Sequence, residues 1–328
     1  MDNEAVDVKE NNIYNLDCEI LSILLKDNTT GKNIIWATDN YISYGDLYKF
    51  NSEITISKIT SYHGQVIRPR IKKSKQEQQL RSREKAEVFT PSWICNKQNN
   101  LIDNEWFGYQ NVFNTEKENT WITNNNKIKF KNDKTWEDYL TSIRLEISCG
   151  EAPYLVSRYD TVTGDIIDVT NRIGLLDRKF RVLNENVDDK NEWFDYVVKT
   201  YKSIYAYEWQ GDNLLIAREN LLYTFIDNFK FKFDEFPNLE ELKQIAEIIS
   251  WNIFQMDGIK FVIPNSCKNN VIINYTLFGD EIIENECIGC KKNRVTLHNG
   301  IYCKVMNWST NRKIKFISLL NRRNQNGK

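Results

Sequence analysis

The chain has 328 residues, and its 44 Lys and Arg residues nearly balance its 45 Asp and Glu residues, for a formal net charge of -1. Net charge therefore excludes any general preference for nucleic acid, a membrane surface or acidic partners. With 41% hydrophobic residues the chain can bury a sizeable core, in one large domain or about two. The N-terminus is acidic and no apolar run approaches the ~18 residues of a membrane span, which predicts a cytoplasmic protein without a membrane partner.

Four segments are predicted in chain order. They are a small N-terminal lobe of short strands at 1–67, a basic linker at 68–85, an α/β domain at 86–265, and a C-terminal segment with a cysteine cluster and a final strand at 266–328. The linker is rich in Lys and Arg and has almost no apolar residue after Ile71, so we expect that it buries no face. It fits either a solvated connection or an arm that contacts DNA phosphates.

The domain at 86–265 alternates strand and helix patterns. Strands are predicted at 142–147, 204–209 and 251–256, and helices at 193–205, 211–228 and 238–250, the last capped by Asn238. This order is typical of an open, mostly parallel α/β sheet, which binds its ligand at the carboxyl ends of the strands.

An acidic residue lies at or near the end of each predicted strand. Glu146 precedes a small-residue turn, Glu208 precedes Trp209 and a helix, and Asp257 precedes Gly258. Taken singly, each fits an ordinary turn or a helix-dipole partner. Together they fit a site in which carboxylates accept hydrogen bonds from ribose hydroxyls and amines, while Trp209 stacks on a base.

Residues 85–91, Lys-Ala-Glu-Val-Phe-Thr-Pro, resemble the segment that opens the catalytic domain of adenine-N6 DNA methyltransferases of restriction-modification systems. Residues 145–155 are similar to that family's cofactor loop, but depart from it at Ile147 and Ala152, where Pro and Gly are usual. Residues 207–222 resemble its ribose-binding strand and helix, and residues 252–258 resemble its adenine-proximal segment.

This resemblance implies a Rossmann-like, S-adenosylmethionine-dependent methyltransferase sheet at 86–265 and an activity on a base swung out of double-stranded DNA. It also implies a set of cofactor-binding residues. They are Phe89, Thr90, Pro91, Glu146, Ser148, Cys149, Gly150, Glu208, Trp209 and Asp257.

The family's catalytic tetrapeptide, (N/D)-P-P-(Y/F), is missing, because none of the five prolines is adjacent to another. Methyl transfer from a sulfonium needs an oriented amine and acceptors for its developing charge, so we expect no catalytic residue in this chain. The chain is expected to end before that motif. Either a second methyltransferase or restriction subunit supplies it, or the chain is a non-catalytic or degenerate DNA-binding subunit. A nuclease is disfavoured, since no P-D…E-x-K arrangement exists.

A cysteine and histidine cluster at the end of the chain has the spacing C-x2-C-x7-H-x4-C. The predicted ligands are Cys287, Cys290, His298 and Cys303. Four protein ligands suit a structural Zn²⁺ with no open position, although a reduced cluster without metal is the alternative. The other four cysteines are expected to be ordinary thiols. Basic residues around the knuckle, such as Lys291 and Arg294, fit either DNA contact or a solvated surface.

Overall fold

The computed structural model describes residues 6–131, 133–276 and 279–322, without the side chains of residues 85, 270–283 and 321–322. The ends of the predicted segments 1–67 and 266–328 therefore lie outside the described residues. Within these residues the chain is a mixed α/β protein that contains a parallel sheet. A search of the described helices finds none long and apolar enough to cross a membrane.

Helices form most of the regular structure in the described residues. Their bounds are Glu10–Leu16 (α1), Cys18–Leu25 (α2), Ile56–Ile59 (α3), Lys75–Lys85 (α4), Ser92–Phe107 (α5), Trp136–Thr141 (α6), Leu175–Asn186 (α7), Lys190–Tyr201 (α8), Gly211–Phe233 (α9), Leu239–Asn252 (α10), Ile288–Lys292 (α11) and Ser318–Arg322 (α12). The strands are Asn114–Lys117 (β1), Thr120–Thr123 (β2), Arg144–Ile147 (β3), Ile204–Glu208 (β4), Ile253–Gln255 (β5), Asn270–Thr276 (β6), Gly279–Asn285 (β7), Lys304–Asn307 (β8) and Arg312–Lys315 (β9).

The central sheet has the strand order β3-β4-β5, and both pairs of strands are parallel. Helices α7 and α8 connect β3 to β4, and α9 and α10 connect β4 to β5, as a parallel pair requires. The three predicted strands are present in the predicted chain order, but they are shorter than predicted, and residues 251–252 belong to α10 rather than to β5. The side chain of Asn238 caps α10 by accepting a hydrogen bond from the Glu241 N–H, as its sequence position indicated.

One face of this sheet packs against a single apolar core that includes residues of α7, α9 and α10. The guanidinium group of Arg218 is fully buried there and ties three elements together. It donates to the carbonyl oxygens of Ile253, Ser250 and Lys26 at 2.8, 3.1 and 2.9 Å. Four backbone carbonyls, including that of Leu24, thus compensate the burial of one cation.

The predicted N-terminal strands are wrong, because most of the regular structure of residues 6–67 is helical. The apolar residues Ile20, Leu21, Leu24 and Leu25 lie at helical spacing, and they are buried in the same core as α10. Only isolated bridges join extended residues here, such as Ile35 with Glu53. The segment that was predicted as a separate lobe therefore packs directly on the α/β domain.

The basic segment 68–85 also differs from the expectation that it buries no face. Ser74 caps α4, and the side chains of Lys73 and Arg81 are buried. Arg81 lies 2.7 Å from Asp212 and 2.8 Å from Glu87, so its charge is neutralised inside the protein. Carboxylates elsewhere in the chain make this burial possible, which a local pattern of cations could not reveal.

The C-terminal residues cover the second face of the sheet. The β8–β9 hairpin packs over Tyr207 and Phe254 through Val305 and Phe316, and Tyr205 donates its hydroxyl to the Met306 carbonyl at 3.1 Å. The predicted strand 313–320 is shorter than expected, since β9 ends at Lys315 and α12 follows it. The second face is therefore occupied by a β-rich module rather than by helices.

Candidate functional site

A cavity of about 740 Å³ lies at the carboxyl ends of β3 and β4, where an open parallel sheet binds its ligand. Its volume is in the range of ligand pockets, about 300–1,000 Å³. The lining residues come from five parts of the chain, at 37–50, 86–90, 146–154, 208–213 and 265. They are Ala37, Thr38, Asp39, Phe50, Ala86, Glu87, Val88, Phe89, Thr90, Glu146, Ile147, Ser148, Cys149, Gly150, Pro153, Tyr154, Glu208, Trp209, Gln210, Asn213 and Asn265.

Most of the sequence-predicted cofactor residues meet in this cavity. Those that line it are Phe89, Thr90, Glu146, Ser148, Cys149, Gly150, Glu208 and Trp209. Pro91 is not among its lining residues, and instead precedes α5 at the N-cap position. Asp257 borders a neighbouring cavity, where its Oδ1 accepts the backbone N–H groups of Ile259 and Lys260 at 2.9 and 3.0 Å.

The loop after β3 has an unusual backbone. Ser148, Gly150 and Ala152 all lie in the left-handed region, with φ of 48°, 54° and 63°. Non-glycine residues adopt this conformation at a cost of roughly 1–2 kcal/mol each. The conformation turns the chain sharply at the end of the strand, so that the loop forms one wall of the cavity. Strain of this kind is concentrated at functional sites.

Two buried carboxyl groups hold the loop against the sheet. Glu208 accepts the N–H of Gly150 at 2.9 Å and that of Gln210 at 3.1 Å. Glu146 accepts the N–H of Leu155 at 3.1 Å. Burial raises the pKa of Glu146 to about 8, although the backbone N–H groups partly oppose this shift and the nearby charge of Glu208 adds to it. The pKa of Glu208 is raised by burial as well.

The ionisable side chains that line the cavity are acidic. Four acidic residues line it, namely Asp39, Glu87, Glu146 and Glu208, and no Lys or Arg occurs among the described residues that line it. Glu87 forms an ion pair with Arg81, which is not one of the lining residues. A cavity of this composition suits a ligand with positive charge and disfavours phosphate groups.

The N-terminal wall of the cavity was missed by the sequence analysis. Gln255 at the end of β5 positions this wall, because its side chain accepts the N–H of Ile35 at 2.9 Å and donates to the Ile35 carbonyl at 2.8 Å. Thr38 is buried in the wall, and its hydroxyl has no hydrogen-bond partner among the described residues. No local pattern at 33–39 signals this contact, since it depends on a partner about 220 residues away.

A second cavity of about 400 Å³ adjoins the first, and Phe50, Trp209 and Asn265 line both. Its other wall contains Cys267, Cys287 and Cys290. The two cavities therefore connect the carboxyl end of the sheet with the cysteine cluster.

The cysteine cluster brings together four side chains that could hold a metal ion. The ligand atoms of Cys267, Cys287, Cys290 and His298 all lie within 4.8 Å of one another. The three sulfur atoms are 3.6, 3.8 and 3.6 Å from His298 Nδ1. Tetrahedral zinc, with Zn–S of about 2.3 Å and Zn–N of about 2.0–2.1 Å, separates sulfur from nitrogen by about 3.6 Å. The donor set and the sulfur–nitrogen distances are thus consistent with a zinc ion.

The fourth ligand differs from the sequence prediction, which placed Cys303 in the cluster and treated Cys267 as an ordinary thiol. Cys303 is instead buried in the apolar cluster on the second face of the sheet, and its thiol donates to the Gln255 carbonyl at 3.3 Å. Cys267 takes its place because β6 and β7 pair with Asn270 opposite Asn285, which brings the two ends of this hairpin together. Cys267 was not predicted as a ligand because it lies 20 residues before Cys287 in the sequence, outside the short spacings that indicate a metal site.

Gly289 and Asn299 position the ligands of the cysteine cluster. A Cβ atom at Gly289 would lie 2.6 Å from His298 Nδ1, so only glycine allows the histidine to approach the knuckle. The backbone N–H of Asn299 donates to Cys287 Sγ at 3.3 Å. The side chain of Asn299 also exchanges two hydrogen bonds with the backbone of Lys268, at 3.1 and 2.8 Å. These contacts orient the ligands from both sides of the site.

The thiols of Cys267 and Cys287 differ in how readily they ionise. Burial raises the pKa of Cys267 to about 12, and the neighbouring Cys290 and Cys287 add to this shift. Burial opposes ionisation of Cys287 too, but backbone N–H groups, that of Asn299 first, lower the pKa of its thiol to about 6. A divalent metal would stabilise all three thiolates together.

Comparisons of this chain with models of protein families, with curated proteins and with solved structures found no match.

Proposed function

We propose that this chain is the S-adenosylmethionine-binding part of an adenine-N6 DNA methyltransferase of a restriction-modification system. In this proposal the parallel sheet is a Rossmann-like methyltransferase sheet, and the Cys267, Cys287, Cys290 and His298 cluster holds a structural zinc. Another polypeptide supplies the residues that orient the target adenine, because the chain has no tetrapeptide for that task.

The observation that carries the proposal is the acidic cavity at the carboxyl ends of β3 and β4. S-adenosylmethionine bears a sulfonium and an ammonium group, and both would favour the ionised forms of Glu146 and Glu208, whose pKa values burial raises. Each carboxylate oxygen has two lone pairs, so Glu208 retains acceptor capacity for ribose hydroxyls beside its bonds to Gly150 and Gln210. Trp209 and Phe89 offer aromatic faces for the adenine ring and the sulfonium.

The proposed zinc is structural. All four ligands are protein groups, which leaves no open position for a substrate or a water molecule. The metal would fix the β6–β7 hairpin to the segment at 287–298, on the side of the second cavity. Lys291, Lys292 and Arg294 on this segment are exposed and are proposed to contact the DNA phosphates.

One observation favours the second candidate, a non-catalytic or degenerate DNA-binding subunit. Both oxygens of Glu208 already accept backbone N–H groups, and Asp257 lies outside the main cavity, bonded to its own turn. A scaffold could use these carboxyl groups only to hold the loop after β3. This candidate predicts that the cavity binds no cofactor.

Isothermal titration calorimetry with S-adenosylmethionine tests the first candidate against the second. The first predicts saturable binding by the wild-type chain and weaker binding by Glu208→Gln, because the neutral amide loses the attraction to the sulfonium. Glu105→Gln, which changes an exposed Glu on α5, is the matched control and should bind like the wild type. Absence of binding at millimolar ligand, in a chain with an intact unfolding transition, would reject the cofactor site.

A further inference from the structure

Charge is distributed unevenly along the chain. Residues 1–286 contain all 45 Asp and Glu residues but only 34 Lys and Arg residues, for a formal net charge of -11. Residues 287–328 contain the other ten Lys and Arg residues and no acidic residue, for a formal net charge of +10. The near-neutral total therefore conceals a strongly basic C-terminal segment, and an asymmetry of this size indicates a surface for a polyanion.

The positive charge of this segment is not neutralised within the described residues. Seven of its cations have described side chains, and all seven are exposed and form no ion pair with a described residue. They are Lys291, Lys292, Arg294, Lys304, Arg312, Lys313 and Lys315. Lys313 lies over the ring of Trp251 at 4.8 Å and Lys315 over that of Tyr302 at 5.7 Å, and an aromatic ring leaves the charge of a cation in place. These charges are therefore available to a partner.

The register of the β8–β9 hairpin collects lysines on its outer face. Val305 is paired with Ile314, and both pack towards the apolar cluster on the second face of the sheet. Because side chains alternate along a strand, Lys304, Lys313 and Lys315 share the opposite face, where Lys304 lies directly across from Lys315. Like charges directly opposite each other destabilise a ladder. An anionic partner over this face would remove that repulsion.

The chemistry of this face fits a sugar-phosphate backbone better than a lipid surface. Lys and Arg contact phosphates without regard to sequence and gain affinity by releasing counterions. A lipid surface is bound by cations beside apolar side chains that insert into it, whereas the outer face of the hairpin has three lysines and only the half-buried Met306. The net negative charge of residues 1–286 repels phosphates, which confines a nucleic acid to the basic segment.

We propose that the outer face of the β8–β9 hairpin binds the phosphate backbone of double-stranded DNA, next to the cations at 291–294. The choice of DNA rests on the proposed function, whereas the position of the surface follows from the charges and the hairpin register. Cys287 and Cys290, which precede these cations, line the second cavity, so the bound duplex would lie beside the entrance that connects to the main cavity.

Fluorescence anisotropy of the full chain with a short labelled DNA duplex of arbitrary sequence tests this surface. The affinity should fall steeply with salt. The triple variant Lys304→Gln, Lys313→Gln, Lys315→Gln should bind about tenfold or more weakly, and its slope of log affinity against log salt should be shallower by about 2–3, since each phosphate contact contributes about 0.9. A wild-type chain that does not bind the duplex at low salt, or a triple variant with unchanged affinity and slope, overturns the proposal.

Two further variants separate charge from structure. Replacing the same three lysines by Arg keeps the charge and should keep the affinity, so a loss of binding in this variant would overturn the proposal. The matched control is Lys117→Gln, Lys127→Gln, Lys129→Gln, which removes three exposed charges from the β1–β2 hairpin and the loop after it and should bind the duplex like the wild type.

The DNA titrations contain no S-adenosylmethionine, so their outcome is independent of the cofactor site. None of the three hairpin lysines lines either cavity, and the Gln triple variant should therefore bind S-adenosylmethionine like the wild type in calorimetry. Salt-dependent DNA binding without cofactor binding would reject the proposed function and retain this surface. Co-sedimentation of the wild-type chain with phosphatidylserine vesicles, in the absence of duplex binding, would assign the surface to a membrane and overturn the proposal.

Discussion

The backbone N–H of Gly150 donates to Glu208 Oε2 at 2.9 Å and joins the loop after β3 to the end of β4. This bond holds the loop that forms one wall of the cavity of about 740 Å³. It requires the left-handed backbone at Gly150, with φ of 54°. The geometry of the candidate cofactor site therefore depends on one residue's conformational freedom.

We expect Gly150→Ala to destabilise the chain by about 1–2 kcal/mol and to weaken S-adenosylmethionine binding. The cost comes from the backbone, since the new Cβ would meet only Phe89 at an ordinary 3.7 Å. Gly31→Ala is a suitable control, because Gly31 also has positive φ, 79°, but has no atom within 4 Å of a Cβ. Urea unfolding should show similar losses for both, and calorimetry a loss of affinity for Gly150→Ala alone. Equal affinity in the two variants would contradict the assigned role of the loop.

The buried Arg81 gives a prediction about the basic segment. Arg81→Met should lower the free energy of unfolding by about 3–5 kcal/mol, because it removes the cation that pairs with the buried Glu87 and leaves Asp212 with Lys73, 3.6 Å away, as its ion-pair partner. Arg83→Met, two residues away, removes an exposed ion pair with Glu84 and should change stability by no more than about 0.5 kcal/mol. Denaturant unfolding of the two variants checks this. Equal stabilities would mean that α4 is a solvated connection after all.

The proposed metal centre predicts that two cysteines differ in their effect on zinc content. Cys267→Ser should abolish or strongly reduce the zinc content of the purified chain and destabilise its C-terminal third, because it removes a ligand. Cys303→Ser should retain about one zinc per chain, since this thiol only donates to the Gln255 carbonyl. Elemental analysis decides between the two ligand sets. Loss of zinc from Cys303→Ser with retention in Cys267→Ser would restore the set predicted from spacing.

Part of the fold and of the candidate site could be predicted from the sequence. The parallel strands, their terminal acids and the knuckle with His298 were predictable because periodicity and short spacings express them locally. Cys267, the N-terminal wall with Thr38 and the burial of Arg81 were not, because each depends on a partner distant in the sequence. The bonds from Gln255 to Ile35 and from Arg81 to Asp212 are formed only when the chain is folded.

The raised pKa of Glu146 predicts a proton linkage. Because its pKa is about 8, against an ordinary 4.5, this carboxyl group is mostly protonated at pH 7. A cationic ligand favours the ionised form, so binding of S-adenosylmethionine at pH 7 should release protons. Calorimetry in two buffers of different ionisation enthalpy measures this release, and Glu146→Gln should reduce it. Proton uptake on binding would contradict the assignment.

The same pKa shift affects stability. The native state binds more protons than the unfolded chain between the ordinary pKa of 4.5 and the raised value of about 8, so this group's contribution to stability is full below that range and is lost as pH rises through it. The free energy of unfolding of Glu146→Gln should therefore fall less than that of the wild type from pH 5 to pH 8. Parallel pH profiles for the two proteins would show that Glu146 ionises freely.

The central claim, that the acidic cavity binds S-adenosylmethionine, is tested most directly by titrating the wild-type chain side by side with S-adenosylmethionine and with ATP. Both ligands contain adenosine. S-adenosylmethionine carries a sulfonium and an amino acid, whereas ATP carries a triphosphate. With four carboxyl groups and no Lys or Arg among the described lining residues, the cavity should bind S-adenosylmethionine and should bind ATP far more weakly. Tighter binding of ATP, or no binding of S-adenosylmethionine, would contradict the account.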